Sequence, residues 1–156
     1  CDFEYARHFN SKYIPMTTAI GTPVHEAPEL LASCTFYKSV VDSYSFGVIL
    51  YQILSDTPTK DVYTFDGVNE KKIMSVFKEI KNSNEYMLDK VAELELSPVL
   101  ADIIKSCWNV EFDGRLEPPA IYKKLIDAVL NGEVLIEGAN MIDVMDYIER
   151  LENQIE

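Results

Sequence analysis

Cysteine is scarce in this chain of 156 residues, and Cys1, Cys34 and Cys107 are too widely separated to form a Cys-x-x-Cys pair. An odd number of scattered cysteines predicts neither a disulfide framework nor a zinc site. His8 and His25 also lack a group of cysteines or carboxylates at metal-ligand spacing. The sequence therefore favours a reduced, intracellular protein, and we expect a cytoplasmic location.

Basic residues and long apolar runs are also few. There are 14 Lys and Arg against 26 Asp and Glu, a formal net charge of -12. Nucleic acids and anionic membrane surfaces require clustered Lys and Arg, so we expect neither as a partner. No apolar run reaches the roughly 20 residues of a membrane helix, and no basic segment precedes an apolar stretch at the N-terminus. We expect no membrane segment in this chain, while tethering through upstream sequence stays open.

The hydrophobic content of 47% is sufficient for a core, and the length fits one domain. Residues from Phe9 to Glu26 are polar and contain two prolines, which predicts a long loop. The stretch that follows Val40 is apolar on nearly every side, which indicates a buried central helix. Apolar periodicity and start signals together predict five helices: about Val40 to Leu54, Ile73 to Ile80, Pro98 to Cys107, Pro118 to Val129 with Gly132 as its stop, and Met141 to Ile155.

Five short strings occur in an informative order. They are Asp2-Phe3-Glu4, Gly21-Thr22-Pro23, Ala27-Pro28-Glu29, Asp42-Ser43-Tyr44-Ser45-Phe46-Gly47, and Cys107-Trp108 followed by Arg115. The set resembles the second half of a protein kinase domain, which runs from an Asp-Phe-Gly magnesium motif through an activation loop to Ala-Pro-Glu. The Gly-rich loop, the phosphate-binding lysine and the catalytic loop lie upstream of these motifs in the family, and this chain contains none of them.

The resemblance implies a mainly α fold, a partial kinase C-terminal lobe in which a long activation loop is followed by about five helices. We expect residues 1–130 to form this partial kinase domain and residues 131–156 to form an acidic helical tail. The spacing of Cys107-Trp108 and Arg115 is similar to that of tyrosine kinases and of the tyrosine-kinase-like group, and a Thr in Gly21-Thr22-Pro23 resembles serine/threonine kinases.

The resemblance also implies roles for individual residues. Asp2 would bind the magnesium that bridges the ATP phosphates, and Phe3 would pack beneath it. Thr17 and Thr18 would be phosphorylated in the activation loop. The tripeptide Gly21-Thr22-Pro23 would dock the protein substrate.

Four further residues would have structural roles. Glu29 and Arg115 would form a buried ion pair between distant parts of the chain. Asp42 would anchor the backbone of the catalytic loop through charge-assisted hydrogen bonds, or it would cap its helix. Trp108 would belong to the core.

The first functional hypothesis is a C-lobe portion of a serine/threonine protein kinase involved in signalling. Its intact parent would use ATP and magnesium to phosphorylate proteins, whereas this chain alone would be inactive and would bind neither tightly. The alternative is a pseudokinase-type binding module, which Glu4, Glu26 and Phe112 favour because they depart from the family pattern. An all-helical interaction domain with chance motif matches is a third possibility.

The expected partners are a protein substrate and the N-terminal half of the kinase domain. That half supplies a helix that covers the central helix in the family. Without it, Phe46, Ile49 or Ile53 would be exposed and would favour self-association.

Overall fold

The computed structural model describes residues 22–31, 39–63, 75, 78–134 and 141–152. Within these ranges the chain is mainly helical and has no strand, which confirms the predicted fold class. None of the helices found there is both long and apolar enough to cross a membrane. The α-helices are α1 (Pro28–Leu31), α2 (Val40–Ser55), α3 (Glu85–Ala92), α4 (Pro98–Cys107), α5 (Pro118–Leu130) and α6 (Met141–Glu152), with short 3₁₀ turns at Thr59–Asp61 and Phe112–Gly114.

Helix α2 provides much of the core of the first part of the chain. Tyr44, Val48 and Tyr51 are buried at helical spacing along one of its faces. The helix ends at Asp56, which adopts the left-handed conformation with φ 52°, a conformation that Asp tolerates better than most residues. The predicted core helix is therefore present.

Helix α4 packs against α2. Its start follows the predicted signals, because Pro98 occupies the first turn and the Ser97 hydroxyl accepts a hydrogen bond from the Leu100 amide at 3.4 Å. The two helices approach closely at Gly47, where an added Cβ would lie 2.6 Å from the Trp108 backbone nitrogen. Only glycine permits this approach.

Helix α3 was not among the five predicted helices. It buries only Met87 and Val91, a spacing of four residues that gives a weak apolar signal. Glu85 in its first turn and Lys90 in its last turn complement the helix dipole. Of the helix expected from Ile73 to Ile80, residue 75 and residues 78–80 are described and are helical, and the remainder lies outside the described residues.

The chain divides into two compact units, Cys1–Pro118 and Pro119–Glu156. Helix α5 ends at Leu130. Two residues later Gly132 has φ 71° and donates its amide to the Val129 carbonyl at 3.0 Å. This is the predicted glycine stop. The boundary drawn from the sequence at residue 130 stays a prediction.

Candidate functional site

Residues 22–27, hereafter the 22–27 segment, form a turn that is bonded to α2. The His25 amide donates to the Thr22 carbonyl at 2.9 Å. The Ser45 hydroxyl donates to the His25 carbonyl at 2.8 Å, and His25 Nε2 lies 2.7 Å from Gln52 Oε1. Because the Gln52 nitrogen donates to the loop after α2, its oxygen is the acceptor, and His25 Nε2 carries the hydrogen.

Lys81 holds the same segment from the other side. Its Nζ donates to the Pro23 carbonyl at 2.7 Å and to the Glu26 carbonyl. The residue is only 2% exposed, and its Nζ lies 5.2 Å from the centre of the Tyr44 ring and 5.5 Å from that of Tyr63. Burial lowers the pKa of the lysine to about 7, although the Glu26 carboxylate acts in the opposite direction.

Sequence reasoning missed Lys81 because it follows an apolar pattern interspersed with other lysines, which predicts a surface helix. No local signal distinguishes it from its exposed neighbour Lys78. Glu26 was noted only as a departure from the family. It is buried, and burial raises its pKa while Lys81 lowers it.

Arg115 and Glu29 meet in a bidentate ion pair, although 86 positions separate them. Nη1 donates to Oε1 at 2.6 Å, and Nη2 donates to Oε2 at 2.9 Å. The three other guanidinium hydrogens go to the backbone carbonyls of Asn109, Val110 and Val40. All five donors of this buried arginine are therefore used.

Trp108 lies at the centre of an aromatic cluster between α2 and α4. Its Nε1 donates to the hydroxyl oxygens of Tyr44 at 3.0 Å and Tyr63 at 3.1 Å, and these two hydroxyls lie 3.1 Å apart. The Tyr44 ring also lies 5.0 Å from the guanidinium carbon of Arg115. Lys81 approaches the same ring, so the Tyr44 ring lies close to both buried basic side chains. Burial raises its pKa to about 12, so the hydroxyl stays protonated.

Asp42 lies in the first turn of α2 and is exposed. Partial burial of its carboxyl raises the pKa of Asp42. The helix N-cap is Ser39, whose hydroxyl donates instead to Glu117 at 2.9 Å. Asp42 therefore presents an acceptor at the start of the central helix.

The remaining predicted site residues lie outside the described residues. These are Asp2, Phe3, Thr17, Thr18 and Gly21. In the part of the chain that is described, no group of three or more potential ligands among His, Cys, Asp and Glu lies together. The magnesium assignment of Asp2 therefore rests on the resemblance alone.

Comparison with known proteins identifies the class to which this arrangement belongs. The protein kinase domain model matches residues 1–125, and the chain belongs to the protein kinase family. It is 30% identical over 144 residues to the mitogen-activated protein kinase kinase kinase mom-4 of Caenorhabditis elegans. That alignment covers 90% of this chain and 24% of the relative.

Two further relatives come from other branches of the family. Calcium-dependent protein kinase 3 of Plasmodium yoelii yoelii is 32% identical over 115 residues, covering 74% of this chain and 19% of its own. The probable serine/threonine-protein kinase fhkD of Dictyostelium discoideum is 32% identical over 125 residues, with coverage of 74% and 16%. The chain thus spans at most about a quarter of these relatives. No solved structure matches it.

Proposed function

We propose that this chain is the C-lobe portion of a serine/threonine protein kinase of the tyrosine-kinase-like group. Its intact parent transfers the γ-phosphoryl group of ATP to protein hydroxyls. Similarity to several serine/threonine kinases supports the activity. The spacing of Cys107, Trp108 and Arg115 supports the group.

The observation that carries the proposal is the anchoring of the 22–27 segment. Ser45, Gln52 and Lys81 bond its inner side, while Thr22 and Pro23 at its outer end are exposed. Phosphoryl transfer requires little covalent chemistry from the protein and depends on holding the acceptor hydroxyl in line with ATP. A turn that is held by hydrogen bonds on one side and exposed at its other end can position the acceptor hydroxyl in this way.

ATP and magnesium belong to the intact parent in this proposal. Asp2 is the metal ligand that this chain contributes, and upstream sequence contributes the catalytic aspartate and the phosphate-binding lysine. Thr17 and Thr18 are the proposed regulatory phosphorylation sites. The chain alone has no catalytic aspartate, so we expect it to transfer no phosphate and to bind neither ATP nor magnesium tightly.

The test compares the 156-residue chain with a longer product of the same gene that contains the upstream half. With radiolabelled ATP and a protein substrate, we expect transfer by the longer protein and none by the chain. Thr22→Ala in the longer protein should raise KM for the protein substrate and leave KM for ATP unchanged. Glu95→Ala, at an exposed residue outside these hydrogen bonds, is the control. Transfer by the chain alone, or an unchanged substrate KM in Thr22→Ala, contradicts the proposal.

A second candidate function is a pseudokinase-type binding module. The buried Glu26 carboxylate within the 22–27 segment favours it, because this charge occupies a position where the family has an apolar residue. In that case the longer protein should bind protein partners but show no magnesium-dependent change in thermal stability with ATP. A clear ATP-dependent stabilisation favours the kinase instead.

The proposed partner of α2 is the upstream half of the kinase domain. Ile49 and Ile53 lie on the exposed face of the helix at 43% and 70% exposure, and Phe46 beside them is half-buried. Apolar side chains exposed together on one face mark a contact surface. When the upstream half is absent, we expect this face to mediate association of the chain with itself.

A further inference from the structure

Lys81 connects two parts of the chain that are distant in sequence. It follows helical residues 78–80 directly, and the turn around it is fixed by hydrogen bonds from the Asn82 amide to the Glu79 carbonyl and from Ser83 to Ile80. From this fixed base the side chain reaches carbonyls of the 22–27 segment, which are 55 and 58 positions away. The side chain therefore ties the segment to the body of the domain.

The surroundings of the amine combine charges from several elements. Two carboxylates oppose its burial, Glu26 from the segment and Glu29 from α1, while the Arg115 guanidinium disfavours its charge. Aromatic rings approach from α2 and from the second residue after the first 3₁₀ turn, and another lines the small cavity beside the amine. These rings belong to Tyr44, Tyr63 and Tyr86, and a second cavity of about 60 Å³ is lined by Pro28, Leu31, Lys78, Asn82 and Lys81 itself.

We propose that Lys81 is a proton-sensitive latch, which holds the 22–27 segment closed through the carbonyls of Pro23 and Glu26 and releases it more readily when the amine is protonated. The latch itself is a property of the fold. Its effect on substrate rests on the proposed kinase function. There Lys81 is a positioning residue, because it acts on the substrate through the segment.

The direction of the pH effect follows from proton linkage. In the closed state burial lowers the pKa of the lysine from 10.5 to about 7. When the segment opens, water reaches the amine and its pKa returns towards the ordinary value. Between these two values the open state binds more protons, so closing becomes more favourable as the pH rises. Below about 7 both states are protonated, and the dependence disappears.

Other groups around Lys81 do not obscure this range. The Tyr44 hydroxyl stays protonated because its pKa is about 12, and burial raises that of Tyr63 further. Glu26, Glu29 and Arg115 also face the amine, and Lys81→Arg retains all three. The difference in pH slope between the wild type and Lys81→Arg therefore isolates the titration of Lys81.

The test is amide hydrogen exchange of the 156-residue chain between pH 7.5 and 9.5, corrected for the intrinsic rate. The His25 amide is the probe, because it bonds within the segment. We expect its protection factor to rise by up to about tenfold per pH unit, the slope for one linked proton. His25→Gln keeps a donor for Gln52 and removes the imidazole, and its residue 25 amide should show the same slope.

Lys81→Arg is the decisive variant, because guanidinium retains hydrogen-bond donors but stays protonated throughout this range. Its segment should show no pH slope and should be less protected than that of the wild type at pH 9.5, because closing then buries a permanent charge. Lys81→Met lacks both donors and should show weak protection, also without a slope. A wild-type slope no greater than that of Lys81→Arg overturns the proposal, and this comparison stands even if Lys81→Met does not fold.

A second readout separates the latch from the proposed function. In the longer protein, Lys81→Met should raise KM for the protein substrate at pH 8.5 at least severalfold, with little change in kcat, and Lys81→Arg should restore it only in part, because it keeps the donors but also buries a charge. If hydrogen exchange shows the expected slopes but the longer protein transfers no phosphate, the latch is supported and the proposed kinase activity is refuted. Phosphoryl transfer with an unchanged substrate KM and a flat exchange profile refutes the latch alone.

Discussion

The two faces of α2 differ sharply although both are apolar in sequence. On one face Val48 is fully buried and Tyr44 is nearly so, and Trp108 of the α4 region bonds the Tyr44 hydroxyl. On the other face Ile49 and Ile53 are exposed. A helix that is hydrophobic all round is normally buried all round. The sequence of α2 is therefore suited to packing on both faces, and the described residues pack against one of them.

The buried face also differs in chemistry from an ordinary apolar core. Two buried basic side chains, Lys81 and Arg115, lie against it at the Tyr44 ring, and their hydrogen bonds run to the 22–27 segment and to Glu29 of α1. Such groups add little net stability, because desolvation offsets their attraction, but loss of one partner leaves a buried charge unpaired. The buried face should therefore be sensitive to single changes, and the exposed face tolerant of them.

The largest expected effect on the buried face comes from Arg115→Ala. The change leaves Glu29 without its cation and three backbone carbonyls without donors, so we expect a loss of about 3–5 kcal/mol in the free energy of unfolding. Urea denaturation measures it. Glu29→Ala/Arg115→Ala should cost less than the sum of the two single changes. A loss below about 1 kcal/mol for Arg115→Ala contradicts a tightly coupled pair.

Gly47→Ala tests the approach of the two helices. In an open helix this change stabilises by about 0.5–1 kcal/mol, because alanine is the better helix former. Here the new Cβ meets the Trp108 backbone nitrogen and the Cys107 Cβ, so we expect destabilisation of about 1–3 kcal/mol. The sign of the change in urea midpoint decides the question. A more stable variant means that α2 and α4 are not in close contact at this point.

Val48→Ala and Ile53→Ala compare the two faces of α2 directly. Loss of the buried valine should cost about 2 kcal/mol through lost transfer energy and a residual cavity. Loss of the exposed isoleucine should change stability by no more than about 0.5 kcal/mol. Equal costs for the two variants would show that the second face is also covered in the isolated chain.

Self-association offers a separate test of the exposed face. The variant Ile49→Gln/Ile53→Gln should remain folded but sediment as a smaller species than the wild type at the same concentration. Leu130→Gln is a matched control in the second unit, because Leu130 is about as exposed as Ile49. If the control changes sedimentation and the α2 variant does not, association occurs elsewhere.

The sequence predicted the helices with strong local signals and missed those determined by distant contacts. Helix α4 begins where Ser97 and Pro98 predict it, and α5 ends just before Gly132. These residues act on the backbone within one turn, so their effect can be read from the local sequence. Helix α3 was missed because it is tied down by Asn84, whose side-chain oxygen accepts from the distant Val110 amide at 2.8 Å. No local pattern contains that contact.

The candidate site shows the same division. The resemblance named Glu29 and Arg115, and the structure places them in contact. It did not name Lys81, because a lysine in a stretch with other lysines has the signature of a solvated surface. Its burial depends on carbonyls of residues more than 50 positions upstream. Backbone acceptors carry no side-chain identity, so this contact left no trace in the sequence.

Among the changes on the buried side of α2, the smallest expected effect is that of Ser97→Ala at the start of α4. The serine hydroxyl accepts one hydrogen bond, from Leu100, over a fairly long 3.4 Å, so we expect a loss of about 0.5–1 kcal/mol by urea denaturation. Ser97→Asp should restore the cap, because its carboxylate accepts the same bond and suits the helix dipole. Helix α4 packs against the buried face of α2. A loss as large as that of Arg115→Ala would mean that the stability of α4 depends mainly on its N-terminal cap and not on this packing.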